Sequence, residues 1–70
     1  MKRRIAILGS TGSIGTQALE VIKQHPDKLD VEVLTAHSNA HLLIRQAIEF
    51  MPNAVVISKE SMYKRVLEAL

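Results

Sequence analysis

The 70-residue sequence predicts an α/β fold with the element order β-α-β-α-β-α, and three observations carry that expectation. Three apolar runs of strand length, at residues 4–8, 31–35 and 54–57, are each followed by a segment with helical periodicity. A glycine string, Gly9-Ser10-Thr11-Gly12-Ser13-Ile14-Gly15, follows the first run directly. Helix-length segments between the runs call for parallel strands joined by right-handed crossovers, which sets the first strand beside the second.

In chain order, the first strand is carried by Ile5, Ala6, Ile7 and Leu8. The first helix covers residues 13–24, where Ile14, Ala18, Val21 and Ile22 form an i, i+4, i+7, i+8 stripe opposite Gln17, Glu20 and Gln24. His25-Pro26-Asp27 stops it, because proline disfavours helical geometry in the residue before it. The second helix starts near Asn39, with Ser38 or Asn39 as N-cap. Ile44, Ala47, Ile48 and Met51 make its inner stripe, His41, Arg45 and Glu49 its outer one, and Pro52-Asn53 ends it. The third helix is capped by Ser58 and runs to Leu70, with Met62, Tyr63, Val66, Leu67 and Leu70 inward. Parallel sheets are covered by helices on both faces, and no fourth strand follows the last apolar stripe. The pattern is a Rossmann-like parallel sheet flanked by helices, and a fragment of a larger doubly wound domain or a piece that pairs with another copy.

Composition narrows the function classes. Seventy residues hold one domain at most, and a chain of this size buries only about 60% of its unfolded surface. The absence of cysteine excludes a disulfide staple and is compatible with a reducing compartment. Nine Lys+Arg against seven Asp+Glu give a net charge of +2, and Lys2-Arg3-Arg4 is the one basic cluster. With Phe50 and Tyr63 as its aromatic residues, the chain lacks the basic stripe and stacking platform of a nucleic-acid binder. No apolar span approaches the ~18 residues of a membrane helix, and the first apolar run is too short for a signal-peptide core. Met1 close before the first strand leaves no room for a transit peptide, so a bacterial-type cytoplasmic protein is expected.

The glycine string has the chemistry of an anion site. A tight turn after a buried strand exposes several N–H groups, and the following helix N-terminus adds partial positive charge at the same spot. Gly9 makes the turn, Gly12 lets a phosphate approach the backbone, and Gly15 lets the helix pack closely on the sheet. The amides of Thr11, Gly12, Ser13 and Ile14 then face the ligand, with the Thr11 and Ser13 hydroxyls as further donors. The same hydroxyls are also ordinary candidates for capping the helix. The spacing G-x-x-G-x-x-G differs from the commoner G-x-G-x-x-G, and a P-loop is excluded because Ile14 stands where it needs glycine and no lysine lies between Arg4 and Lys23.

After the second strand, a carboxylate would select NAD through the ribose 2′-hydroxyl. Leu34-Thr35-Ala36-His37-Ser38-Asn39 contains none, which permits NADPH. Thr35, Ser38 and Asn39 can donate to phosphate oxygens, and protonated His37 adds charge; equally, Ser38 and Asn39 can be simple caps and His37 a solvated loop residue. No Arg or Lys adjoins them, and Arg45 is the nearest along the sequence. His37 and His41 find no third ligand nearby, so no metal site is expected within the chain, and no catalytic residue either.

The stretch from Ile7 to Ile22, with His25-Pro26-Asp27 and Ala36-His37-Ser38-Asn39 in register, resembles the start of the 1-deoxy-D-xylulose 5-phosphate reductoisomerase family. Aspartate-semialdehyde dehydrogenases and acylglutamyl-phosphate reductases share the glycine spacing, usually with alanine at its second position. The resemblance implies that residues 1–70 are the N-terminal part of an NADPH-binding domain, with catalytic and C-terminal domains lying beyond. It implies an enzyme that rearranges 1-deoxy-D-xylulose 5-phosphate and reduces the product with NADPH to 2-C-methyl-D-erythritol 4-phosphate, for isoprenoid synthesis. It further implies a cytoplasmic homodimer using Mg²⁺ or Mn²⁺ bound outside this chain, with no nucleic-acid or membrane partner. By position, Thr11, Gly12, Ser13 and Ile14 meet the pyrophosphate, and Ala36, His37, Ser38 and Asn39 meet the adenosine 2′-phosphate end. His37 stands where the family usually has glycine and Ser38 where it has Lys or Arg, which leaves the 2′-phosphate grip weaker or differently built. Two competing expectations are a non-enzymatic α/β interaction module and a semialdehyde-type dehydrogenase, which would need a catalytic cysteine downstream.

Overall fold

The computed structural model describes residues 2–70; Met1, on which the expectation about a transit peptide rests, lies outside the described residues. The elements are β1 (Arg3–Ile7), α1 (Ser13–Gln24), β2 (Leu29–Ala36), α2 (Ala40–Phe50), β3 (Ala54–Ile57) and α3 (Glu60–Ala69). The strands form one parallel sheet in the order β1-β2-β3, as the crossover rule requires.

β2 is longer than its apolar run because it contains a bulge. Ile5 pairs with Val31 and Ala6 with Val33, so Glu32 is an extra residue. The bulge lets Val31 and Leu34, three apart, both point into the core together with Ala36. Glu32 itself ties the sheet's near end together. Its carboxylate accepts from Asn53 Nδ2 at 2.9 Å and pairs with Arg4 at 3.3 Å, while its carbonyl accepts from the Asn53 amide at 3.0 Å.

All three helices lie on one face of the sheet. α1 and α2 share a cleft between Leu19 and Leu42, closed at its rim by a 3.0 Å Lys23–Glu49 ion pair. The hydrogen bond and charge of Glu49, with the charge of Glu20, hold the Lys23 ammonium above its usual range. α3 packs beside α2 over Val55 and Ile57. The core runs from Ile7, Val31, Leu34 and Ile57 in the sheet to Leu19, Ile22, Leu43, Ala47 and Val66 in the helices. The expected cover on both faces is therefore absent from residues 2–70, and Val56 and Leu8 on the other side are exposed.

The helix faces differ from the expected stripes. α1 buries Gly15, Leu19 and Ile22, and turns Ile14, 84% exposed, and Val21 outward. Its inward face is chosen by contact of Gly15 with the β1–α1 turn, which swings Ile14 one position away. α2 buries Ala40, Leu43, Gln46 and Ala47, with Ile48 and Met51 outside. Of the two candidate caps, Asn39 serves: its Oδ1 accepts from Leu42 N–H at 3.2 Å. Met51 ends the helix in the left-handed region at φ 51°. α3 buries Val66 and half-buries Met62, while Tyr63, Leu67 and Leu70 remain exposed. Its N-cap is Lys59 rather than Ser58, because the Ser58 amide is drawn back to the Ala36 carbonyl.

Replacing Asn39 by Ala removes the side-chain cap of α2. A loss of about 1 kcal/mol of stability is expected, measured by chemical denaturation; an unchanged midpoint would contradict the cap.

Candidate functional site at the glycine turn

Each of the three glycines has a distinct physical reason. Gly9 leaves β1 at φ +72°, a conformation that L side chains rarely adopt. Gly15 is obligatory for packing: a Cβ there would lie 2.3 Å from the Gly9 carbonyl oxygen and 2.7 Å from Ser10 Cα. Gly12 is different. It has φ −81° and ψ 174°, which any residue adopts, and a Cβ would meet Gly9 O at an ordinary 3.5 Å. Nothing inside the chain requires glycine at position 12. The space it leaves faces outward.

The turn is held rigidly. Gly9 N–H donates to Thr35 Oγ1 at 3.0 Å and Ser10 N–H to Thr35 O at 2.7 Å. Gly12 N–H closes the turn on Gly9 O at 3.1 Å. From beneath, Gln46 Nε2 donates to Ser10 O at 2.8 Å, a buried bond between α2 and the turn. Ser10 is fully buried, and its Oγ and Gln46 Oε1 have no hydrogen-bond partner among the described residues. Gln46 escaped sequence reasoning. The available signal was a polar residue sitting within the Leu43–Ala47 face of an amphipathic helix.

Beyond the turn, Gly12 is the N-cap of α1 and offers no side-chain cap; neither Thr11 nor Ser13 serves as one. Thr16 is the first residue whose N–H finds a carbonyl, Gly12 O at 2.9 Å. Among the described residues, the amides of Thr11, Ser13 and Ile14 have no acceptor, and no acidic side chain occupies the first turn. Gly12, Ser13 and Ile14 are exposed and Thr11 half-buried. Unpaired amides at a helix N-terminus, beside an outward gap at a glycine, suit a diphosphate.

The second cluster leaves β2 at the same end of the sheet, joined to the first through Thr35. His37, Ser38 and Asn39 are exposed. Ala36 is 3% exposed and its carbonyl accepts from Ser58 N–H at 2.9 Å, so it anchors the turn and presents no free surface. With Asn39 Oδ1 committed to the helix cap, the Nδ2 amine is the part left to donate outward. Arg45, the nearest cation by sequence, borders Leu42, Ile48 and Glu49 on the flank of α2. No group of three or more His, Cys, Asp or Glu side chains suited to a metal occurs among the described residues.

Sheet order, crossovers and glycine turn define a Rossmann-type α/β unit. The family model of 1-deoxy-D-xylulose 5-phosphate reductoisomerase matches residues 5–70, and the chain belongs to this family. It is 60% identical over its whole length to the 1-deoxy-D-xylulose 5-phosphate reductoisomerase of Phocaeicola vulgatus and 57% identical to that of Porphyromonas gingivalis. In each case it spans 18% of the relative's length. Among solved structures, the Zymomonas mobilis reductoisomerase in complex with NADPH superposes with a TM-score of 0.90 at 38% identity, over 100% of this chain and 18% of that one. A reductoisomerase in complex with magnesium gives 0.89 at 34% identity, over 97% and 17%. These matches favour neither the interaction module nor the semialdehyde-type dehydrogenase.

The glycine roles separate in stability. Gly15→Ala forces backbone apart and is expected to cost roughly 3 kcal/mol or more, whereas Gly12→Ala should change stability by less than about 1 kcal/mol. Denaturation of the two variants checks this, and equal losses would contradict it.

Proposed function

We propose that this chain is the N-terminal part of the NADPH-binding domain of a 1-deoxy-D-xylulose 5-phosphate reductoisomerase. The observation that carries the proposal is Gly12: the fold does not need a glycine there, but a diphosphate approaching the α1 amides does. The likeness to a reductoisomerase structure holding NADPH supports the same choice of ligand.

When bound, NADPH supplies the hydride for the reductive half of the reaction. The residues of this chain hold and orient. Thr11, Ser13 and Ile14 present main-chain donors to the diphosphate, aided by the partial charge of the α1 terminus. The Gly12 amide, expected from the sequence to face the ligand too, is spent on the Gly9 carbonyl, and Gly12 contributes the gap beside it. Thr35 and Gln46 keep those donors in place by fixing Gly9 and Ser10. His37, Ser38 and Asn39 border the adenosine 2′-phosphate, with Ala36 setting the turn. Catalytic residues and the Mg²⁺ or Mn²⁺ ligands belong to the remainder of the enzyme, which converts 1-deoxy-D-xylulose 5-phosphate to 2-C-methyl-D-erythritol 4-phosphate as a homodimer. The enzyme is proposed to work in the cytoplasm without a nucleic-acid or membrane partner; no described helix is long and apolar enough to cross a membrane.

Titration of the full-length protein should shift NADPH fluorescence at lower concentration than NADH. Gly12→Val is expected to abolish dinucleotide binding while the protein stays folded, and Ser38→Arg to tighten NADPH relative to NADH. Full affinity in a folded Gly12→Val variant would place the diphosphate elsewhere. An equal effect of Ser38→Arg on both cofactors would remove the 2′-phosphate from this turn.

A further inference from the structure

We infer that Lys59 is the residue that selects the phosphorylated ribose, supplying the cation that the β2–α2 turn itself lacks; this rests on the proposed NADPH site. The turn His37-Ser38-Asn39 has no carboxylate and no fixed positive charge, although a dianionic 2′-phosphate calls for one. Arg45 does not answer, since it lies on the α2 flank near Glu49. The fold brings a different cation to the place. Lys59 N–H donates to the His37 carbonyl at 2.8 Å, and the preceding Ser58 N–H donates to Ala36 O at 2.9 Å.

These two bonds stitch the β3–α3 loop onto the β2–α2 turn, so Lys59 is a main-chain neighbour of His37 despite its distance along the sequence. Lys59 is exposed and makes no ion pair among the described residues. Its side chain caps nothing at α3. A lysine stem is flexible and carries a compact charge, which suits a terminal phosphate approached from one side. His37 and Ser38, both exposed, then serve as a partly polar floor, with Lys59 entering from the next loop.

The test is affinity of the full-length protein for NADPH and NADH, with 2′-AMP and 5′-AMP as phosphate-position probes. Lys59→Gln removes the charge and leaves a polar side chain one atom shorter, and Lys59→Arg keeps charge. Lys59→Gln is expected to weaken NADPH and 2′-AMP by about tenfold and leave NADH and 5′-AMP within about twofold. Lys59→Arg should retain NADPH affinity within about threefold. Equal weakening of both cofactors, or no change in either, overturns the assignment to Lys59 while leaving the cofactor site intact. A wild-type protein that binds neither cofactor overturns the proposed function and this inference with it.

Discussion

Helix α1 rests on the end of β1 at backbone-to-backbone distance because residue 15 has no side chain. That contact fixes where the helix starts, which of its faces meets the sheet, and where its unpaired amides point. Any Cβ at this position would strike the Gly9 carbonyl, so the helix would have to lift from the turn and take its terminal donors with it. The left-handed Gly9 then does the geometric work of reversing the chain in so few residues. Gly12 is the member of the trio that the fold itself does not require.

Around that contact, the loops at this end of the sheet are joined by a continuous set of hydrogen bonds. Thr35 holds the first loop with both its side chain and its carbonyl, Gln46 reaches Ser10 from below, and Ala36 and His37 hold the third loop through their carbonyls. Each bond individually contributes about 1 kcal/mol. Their joint effect is positional: three loops separated in sequence present one rigid edge. Preorganised donors bind an anion without first losing conformational freedom, which is the energetic reason to build such an edge. The uncovered sheet face and the exposed Ile48, Met51, Leu67 and Leu70 fit a segment that spans 18% of its relatives' length.

Much of this was legible in the sequence, for identifiable reasons. Strand–helix alternation and the roles of Gly9 and Gly15 follow from backbone sterics, which depend little on the surroundings. Helix faces were harder. In α1 both 14-18-21-22 and 15-19-22 make plausible stripes, and only the Gly15 contact decides between them. The true extent of β2 was hidden because the polar Asp30 stands between Leu29 and the apolar run, and the bulge at Glu32 breaks the simple alternation. Ser58 has the chemistry of a cap, but its amide is recruited by Ala36 and the helix begins one residue later. The Lys59 amide meets the His37 carbonyl and Gln46 meets Ser10 through tertiary contacts, which leave no spacing signature.

The most direct measurement is a crystal structure of the full-length protein with NADPH. The diphosphate oxygens are predicted within about 3 Å of the Ser13 and Ile14 amide nitrogens, occupying the gap beside Gly12. A diphosphate seated away from the α1 terminus, with those amides still solvated, would contradict the account.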